Sequence, residues 1–133
     1  MPTLTPQVFV SGQLTVEDVT SFAEAGFSHV VNHRPDGEEP GQPLASDLAH
    51  AALEAGMVMV HAPVRGLPHP EAVEATRRVL DALGVNGKAV LFCRSGMRSV
   101  AAWAMAERLR GVEAGYLRAA AAAAGYDISG APL

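Results

Sequence analysis

Three features predict an α/β protein: four short apolar segments alternating with helical ones, glycines at most of the helical ends, and one uninterrupted apolar run, Lys88-Ala89-Val90-Leu91-Phe92. The architecture expected is three-layer, a mostly parallel central sheet flanked by helices, with ligands at the carboxyl ends of the strands. At 133 residues, 49% of them apolar, the chain has material for one core, so a single domain over residues 1–133 is expected.

Val8-Phe9-Val10-Ser11 reads as the first strand. Thr15 with Asp18 three residues on forms a capping-box pattern. It opens a helix with apolar face Val16, Val19, Phe22 and Ala23, ended by Gly26. Phe27 to Asn32 is the second strand. Arg34 to Pro43 carries three prolines and two glycines and must be a loop. Ser46 to Ala55 returns to helical spacing through Leu48, Ala52 and Leu53, and Gly56 closes it. Met57 to Pro63 is the third strand, followed by the turn-rich Arg65-Gly66-Leu67-Pro68-His69. Pro70 to Leu83 begins with a proline whose missing N–H costs nothing in a first turn, and it aligns Val73, Leu80 and Leu83. Lys88 to Phe92 is the fourth strand, of the kind buried on both faces. Ser99 to Arg110 is apolar nearly all round, which predicts a central helix with Trp103 in the core. Gly111 ends it. Tyr116 to Ala124, with its alanine run, is a last strong helix, and Tyr126 to Leu133 reads as a tail.

Ten basic against fourteen acidic side chains give a net charge of -4, which excludes a basic field for nucleic acid or anionic lipid. Any positive charge that matters must be local. The N-terminus lacks the cationic-then-apolar pattern of a secretion signal, and no apolar run nears the ~18 residues of a membrane span. A soluble, cytoplasmic protein is therefore expected. One cysteine permits no intrachain disulfide and no thiolate-rich zinc site, and His29, His33, His50, His61 and His69 lack metal-ligand spacing. Neither a metal nor another cofactor is expected.

The lone cysteine stands in Cys93-Arg94-Ser95-Gly96-Met97-Arg98-Ser99, directly after a buried strand and before a helix. Backbone N–H groups converge there, and the helix dipole adds positive potential. Such a place, beside Arg94 and Arg98, favours a thiolate nucleophile. Gly96 lets the backbone turn and approach an anion closely, and Arg98 presents a planar fork of donors. Ser95 and Met97 complete the anion-binding turn, and the Ser99 hydroxyl is expected to donate to the sulfur. A small anionic sulfur or phosphate compound is the expected substrate.

Cys-Arg-Ser-Gly-x-Arg-Ser resembles the active loop of rhodanese-type sulfurtransferases. The wider chain, from about residue 7 to 110, resembles the phosphatase-like domain of beta-lactamase hydrolase-like proteins. The stretches that carry it are Val8 to Leu14, with Ser11-Gly12-Gln13-Leu14; Val30 to Pro43, with the distinctive Arg34-Pro35-Asp36-Gly37-Glu38-Glu39; His61-Ala62-Pro63-Val64; and Phe92 to Ser99. The resemblance implies the fold of tyrosine and dual-specificity phosphatases. It also implies, as a partner on a separate chain, a persulfide dioxygenase of the metallo-beta-lactamase fold, to which this domain is fused or near which it is encoded in several bacteria.

Three departures bear on the reaction. Phosphatases of this kind resemble Cys-x5-Arg, whereas four residues separate Cys93 from Arg98. Phe92 stands where histidine usually precedes the cysteine. The aspartate that dual-specificity enzymes supply after the third strand is missing, because Arg65-Gly66-Leu67-Pro68-His69-Pro70 holds no carboxylate. Protonating a leaving group needs an acid within hydrogen-bond reach, and moving a sulfane sulfur through a Cys93 persulfide does not. Sulfur transfer is accordingly the favoured expectation. Phosphate ester hydrolysis through a Cys93 phosphocysteine is the alternative, and a non-catalytic anion or thiol sensor the third. On the rim, Asp36, Glu38 and Glu39 are candidates for an acid or for orienting an arginine. Arg34 is a candidate anion-recognising cation, Arg65 a further rim candidate, and His69 a substitute acid.

Overall fold

The computed structural model describes residues 2–133. Its sheet has five strands, β1 (Thr3–Thr5), β2 (Val8–Ser11), β3 (His29–Asn32), β4 (Val58–His61) and β5 (Ala89–Phe92), in the order β1-β2-β5-β3-β4. β2, β5, β3 and β4 run parallel, and β1 pairs antiparallel with β2. The helices are α1 (Val16–Glu24), α2 (Ala45–Glu54), α3 (Pro70–Ala82), α4 (Met97–Leu109) and α5 (Ala114–Ala123).

β5 sits centrally because each of its four residues is buried, as the uninterrupted apolar run requires. Successive side chains go to opposite faces. Ala89 and Leu91 join Val10, Val31 and Trp103 in a cluster with residues of α3, α4 and α5. Val90 and Phe92 join Val19, Phe27, Val30 and Leu48 in a second cluster under α1 and α2. Three layers result, as expected, and Trp103 is fully buried.

The capping box is present: Asp18 N–H donates to Thr15 Oγ1 at 3.1 Å, and Thr15 N–H to Asp18 Oδ2 at 2.8 Å. Four expectations need correction. β1 is an added strand, too short to leave a periodicity. The third predicted strand narrows to β4, a half-exposed edge. The tail is no free end, since Ile128 and Ala131 are buried in the Trp103 cluster. α4 also begins at Met97, two residues before the predicted start, so the active loop runs straight into it.

Candidate active site

Ser11, Phe92, Asn32 and His61 are in register, so β2, β5, β3 and β4 all end at one level. The residues that follow them face one another there. Cys93 comes first after β5 and is 1% exposed. The chain then turns through Gly96, whose φ of +100° suits glycine, and enters α4. The Gly96 N–H donates to Cys93 Sγ at 3.1 Å. A side chain at Gly96 would meet a second obstacle, because a Cβ would lie 2.3 Å from the Tyr126 hydroxyl oxygen.

The loop is braced from outside. The Tyr126 hydroxyl donates to the Ser95 carbonyl at 2.9 Å. On the other flank the Gln13 N–H donates to the Arg94 carbonyl at 3.3 Å. Gly12 permits that approach, since a Cβ there would stand 2.9 Å from the same carbonyl oxygen. Ser95 Oγ accepts from the Met97 N–H at 3.4 Å, and the Arg94 side chain is exposed.

Ser99 is fully buried and its Oγ lies 2.8 Å from His33 Nδ1, while His33 Nε2 lies 2.9 Å from Thr76 Oγ1. The Thr76 hydroxyl donates to the Ala72 carbonyl at 2.8 Å, which fixes the order of donors along the chain. Its oxygen accepts the Nε2–H, Nδ1 is left bare, and the Ser99 hydroxyl donates to Nδ1. The hydrogen expected on the sulfur is therefore turned to His33. Burial, first of all, lowers the His33 pKa to about 3, with the charges of His61 and Arg98 adding to the effect, so the imidazole is neutral.

A pH dependence follows from that burial. The unfolded chain takes up a proton on His33 below about 6.5, and the folded protein does so only near 3, so acidification through this window destabilises the fold. Where the difference is complete, the folding equilibrium falls roughly tenfold per pH unit. His33→Gln should flatten urea-midpoint curves between these limits.

Arg98 reaches back over the loop to Glu38. Its Nη1–H donates to Glu38 Oε2 at 2.8 Å and its Nη2–H to Oε1 at 2.8 Å, a bidentate pair, and Nη1 also donates to the Val64 carbonyl at 2.9 Å. These bonds hold the guanidinium in one plane and leave its Nε–H and one Nη2–H for an anion beside the sulfur. Glu38 is itself held by Arg34, whose Nε–H donates to Oε1 at 2.9 Å. The hydrogen bonds to Arg98 chiefly, and those to Arg34 next, lower the Glu38 pKa to about 2 against the opposing effect of partial desolvation. Glu38 is thus a carboxylate at neutral pH and orients the arginine; it has no proton to give.

Arg34 departs from its expected role. It is 1% exposed, and besides Glu38 it donates to Gln13 Oε1 at 2.9 Å and to Glu39 Oε1 at 3.0 Å. With every guanidinium nitrogen engaged, it is a buried hub beneath the site. Asp36 is also a structural residue: its Oδ1 accepts the Ala45 N–H at 2.8 Å at the start of α2. Arg65 and His69 lie exposed on the β4–α3 loop, and among the described residues neither makes a side-chain hydrogen bond. Cys93, Gly96, Met97, Arg98 and Glu38 are thus brought together, with Ser99 behind them.

Sequence reasoning missed Gln13, His33 as a partner of Ser99, Thr76 and Tyr126. Gln13 stood in a stretch already singled out by resemblance. Nothing in local spacing pointed to Thr76 or Tyr126, which arrive from α3 and the C-terminal segment.

Arg98→Lys keeps the charge but cannot pair with Glu38 in a plane while offering a further fork. The expected loss in kcat/KM is roughly a hundred- to a thousandfold, the scale of removing a positioned donor to a transition-state oxygen. It is measured by steady-state kinetics on whichever of the two candidate reactions, phosphate ester hydrolysis or sulfur transfer, the parent protein catalyses.

The family model described as beta-lactamase hydrolase-like protein, phosphatase-like domain, matches residues 1–110. A beta-lactamase hydrolase-like protein of Xylella fastidiosa is 34% identical over 103 residues, which is 77% of this chain and 23% of that protein. One of Agrobacterium fabrum is 35% identical over 104 residues, again covering 77% and 23%. The chain thus spans about a quarter of the length of these curated relatives. Among solved structures, a candidate phosphatase of Neisseria meningitidis superposes with a TM-score of 0.78 at 25% identity, covering 97% of this chain and 91% of that one. Tk-PTP in its active form superposes with a TM-score of 0.70 at 20% identity, covering 97% and 88%, and shares the fold. The fold is of the tyrosine and dual-specificity phosphatase type, as the resemblance implied. With the matched region holding β1 to β5 and the whole cysteine loop, the chain belongs to the beta-lactamase hydrolase-like protein, phosphatase-like domain family.

Proposed function

We propose that the protein hydrolyses phosphate monoesters through a phosphocysteine on Cys93. The observation that carries this reading is the buried sulfur on the loop floor, with a backbone N–H on it and the free donors of a planar, carboxylate-anchored Arg98 beside it, on a phosphatase-like fold. The Cys93 thiolate attacks phosphorus, a sulfur–phosphorus bond forms, and the bond from phosphorus to the ester oxygen breaks. Water then attacks phosphorus, the thiolate leaves, and inorganic phosphate is released. Arg98 and the loop N–H groups stabilise the charge on the phosphoryl oxygens in both steps.

This reverses the order in which the sequence ranked the two reactions. The relatives are phosphatase-like and favour the hydrolase, while the short Cys-x4-Arg loop and the missing acid had favoured sulfur transfer. The missing acid becomes a prediction about substrates. Asp36 is engaged at α2, Glu39 accepts from Arg34, Glu38 is ionised, the Ser129 N–H holds the Asp127 carboxyl below the usual carboxylate range, and the β4–α3 loop offers no carboxylate. The leaving alcohol must depart as the anion or take its proton from water, so kcat/KM should fall steeply as the alcohol becomes less acidic.

The test is a series of aryl phosphates with phenols of rising pKa, run beside a thiosulfate-to-cyanide assay. Turnover of p-nitrophenyl phosphate with a steep leaving-group dependence supports the proposal. Sulfur transfer without ester hydrolysis contradicts it, as does phosphate binding with no turnover of either kind.

A further inference from the structure

Next to Arg98 opens a cavity of about 250 Å³. Leu67 of the β4–α3 loop, Met97 and Ala101 of α4, and Ile128 of the C-terminal segment supply its apolar walls, and Arg98 and Asp127 its charges. Roughly 150 Å³ of apolar space suffices for a benzene ring, so one aromatic ring fits. Arg98 joins this space to the anion site, because the same side chain borders the cavity and holds Glu38.

Charge decides what else the cavity accepts. Among the described residues Arg98 is the one cation lining it, and its remaining donors serve the first phosphoryl group. Asp127 accepts the Ser129 N–H at 2.9 Å, and that backbone bond, the main cause, holds its carboxyl below the usual carboxylate range. A second anionic group in the cavity would therefore face a carboxylate, with no second cation among the described residues that line it.

Resting on the hydrolase reading above, we propose that this cavity is the leaving-group subsite, that it takes a single uncharged apolar ring, and that Asp127 excludes esters carrying a second negative group. The segment forming its outer wall lies beyond residue 110, where the family match ends. Selectivity of this kind is thus carried by the part of the chain outside the matched region, together with Leu67.

Three substrates test it: acetyl phosphate, which has no ring, and the near-isosteric pair 4-carbamoylphenyl and 4-carboxyphenyl phosphate. The protein should prefer the carbamoyl over the carboxy ester by about tenfold in kcat/KM, and Asp127→Asn should remove most of that preference. Leu67, 54% exposed, tolerates a polar replacement without loss of the core. Leu67→Asp should lower the ratio of kcat/KM for the carbamoyl ester to that for acetyl phosphate by about tenfold. If both ratios stay at their parent values in these variants, the subsite is overturned while the hydrolase reading stands. If the parent protein turns over none of the three, the hydrolase reading fails and the subsite fails with it.

Discussion

Cys93→Ser should remove turnover by roughly a million-fold, the scale seen when a covalent nucleophile is deleted, while leaving the fold and the binding of inorganic phosphate in place. A serine hydroxyl is a weak nucleophile unless an adjacent base takes its proton. Among the described residues no such base is bonded to Cys93. The Gly96 N–H and Arg98 are donors, and the nearby imidazole of His33 has its Nδ1 occupied by Ser99 and its Nε2 by Thr76. The anion-binding parts are kept, because a serine oxygen can accept the Gly96 N–H in place of the sulfur and the Arg98–Glu38 pair is made without the sulfur. Steady-state rates with p-nitrophenyl phosphate and calorimetric binding of inorganic phosphate check the two halves. Loss of binding along with turnover would mean that the sulfur helps to build the loop.

Arg34→Met should destabilise the protein by about 3 kcal/mol, the low end of what removing one partner of a buried pair costs. The low end is expected because Glu38 and Glu39, at 29% and 46% exposed, regain some solvent once the arginine is gone. Gln13 Oε1 loses its donor in the same change. Lysine should rescue little, since a single ammonium cannot serve three acceptors arranged around a planar fork. The loss should reach the chemistry too. Glu38 would be anchored by Arg98 alone, and Arg98 would lose the rigidity that aims its free donors. A urea-denaturation midpoint and kcat/KM on the same sample, with folded protein confirmed, separate the two effects.

What the sequence made legible was what depends on neighbours along the chain. The apolar run at β5, the capping box at Thr15 and the packing of Cys93, Arg94, Gly96 and Arg98 into one strand-to-helix turn are all local patterns, and the structure bears them out. What it hid depends on where distant segments meet. Arg34 sits in a proline- and glycine-rich loop and looked like a solvated rim cation; it is buried because Gln13 and two glutamates close around it. Asp36 and Glu38 were indistinguishable as loop carboxylates. The path of the loop sends one to the start of α2 and the other to Arg98. Ser99 lay at the right spacing to serve the sulfur, and only the arrival of His33 from the end of β3 turns its hydroxyl away. Tyr126 comes from a segment with no periodicity, so its hold on Ser95 left no trace in the pattern.

In the proposed hydrolysis Cys93 carries a phosphoryl group between the two steps. Mixing the protein with an aryl phosphate whose phenol is a good leaving group, quenching within the first turnovers and weighing the intact chain tests it most directly. The account predicts a species heavier by one phosphoryl group, mapped to Cys93 and absent from Cys93→Ser. A chain that stays unmodified with the phosphate ester but gains one sulfur atom on Cys93 from thiosulfate would contradict it.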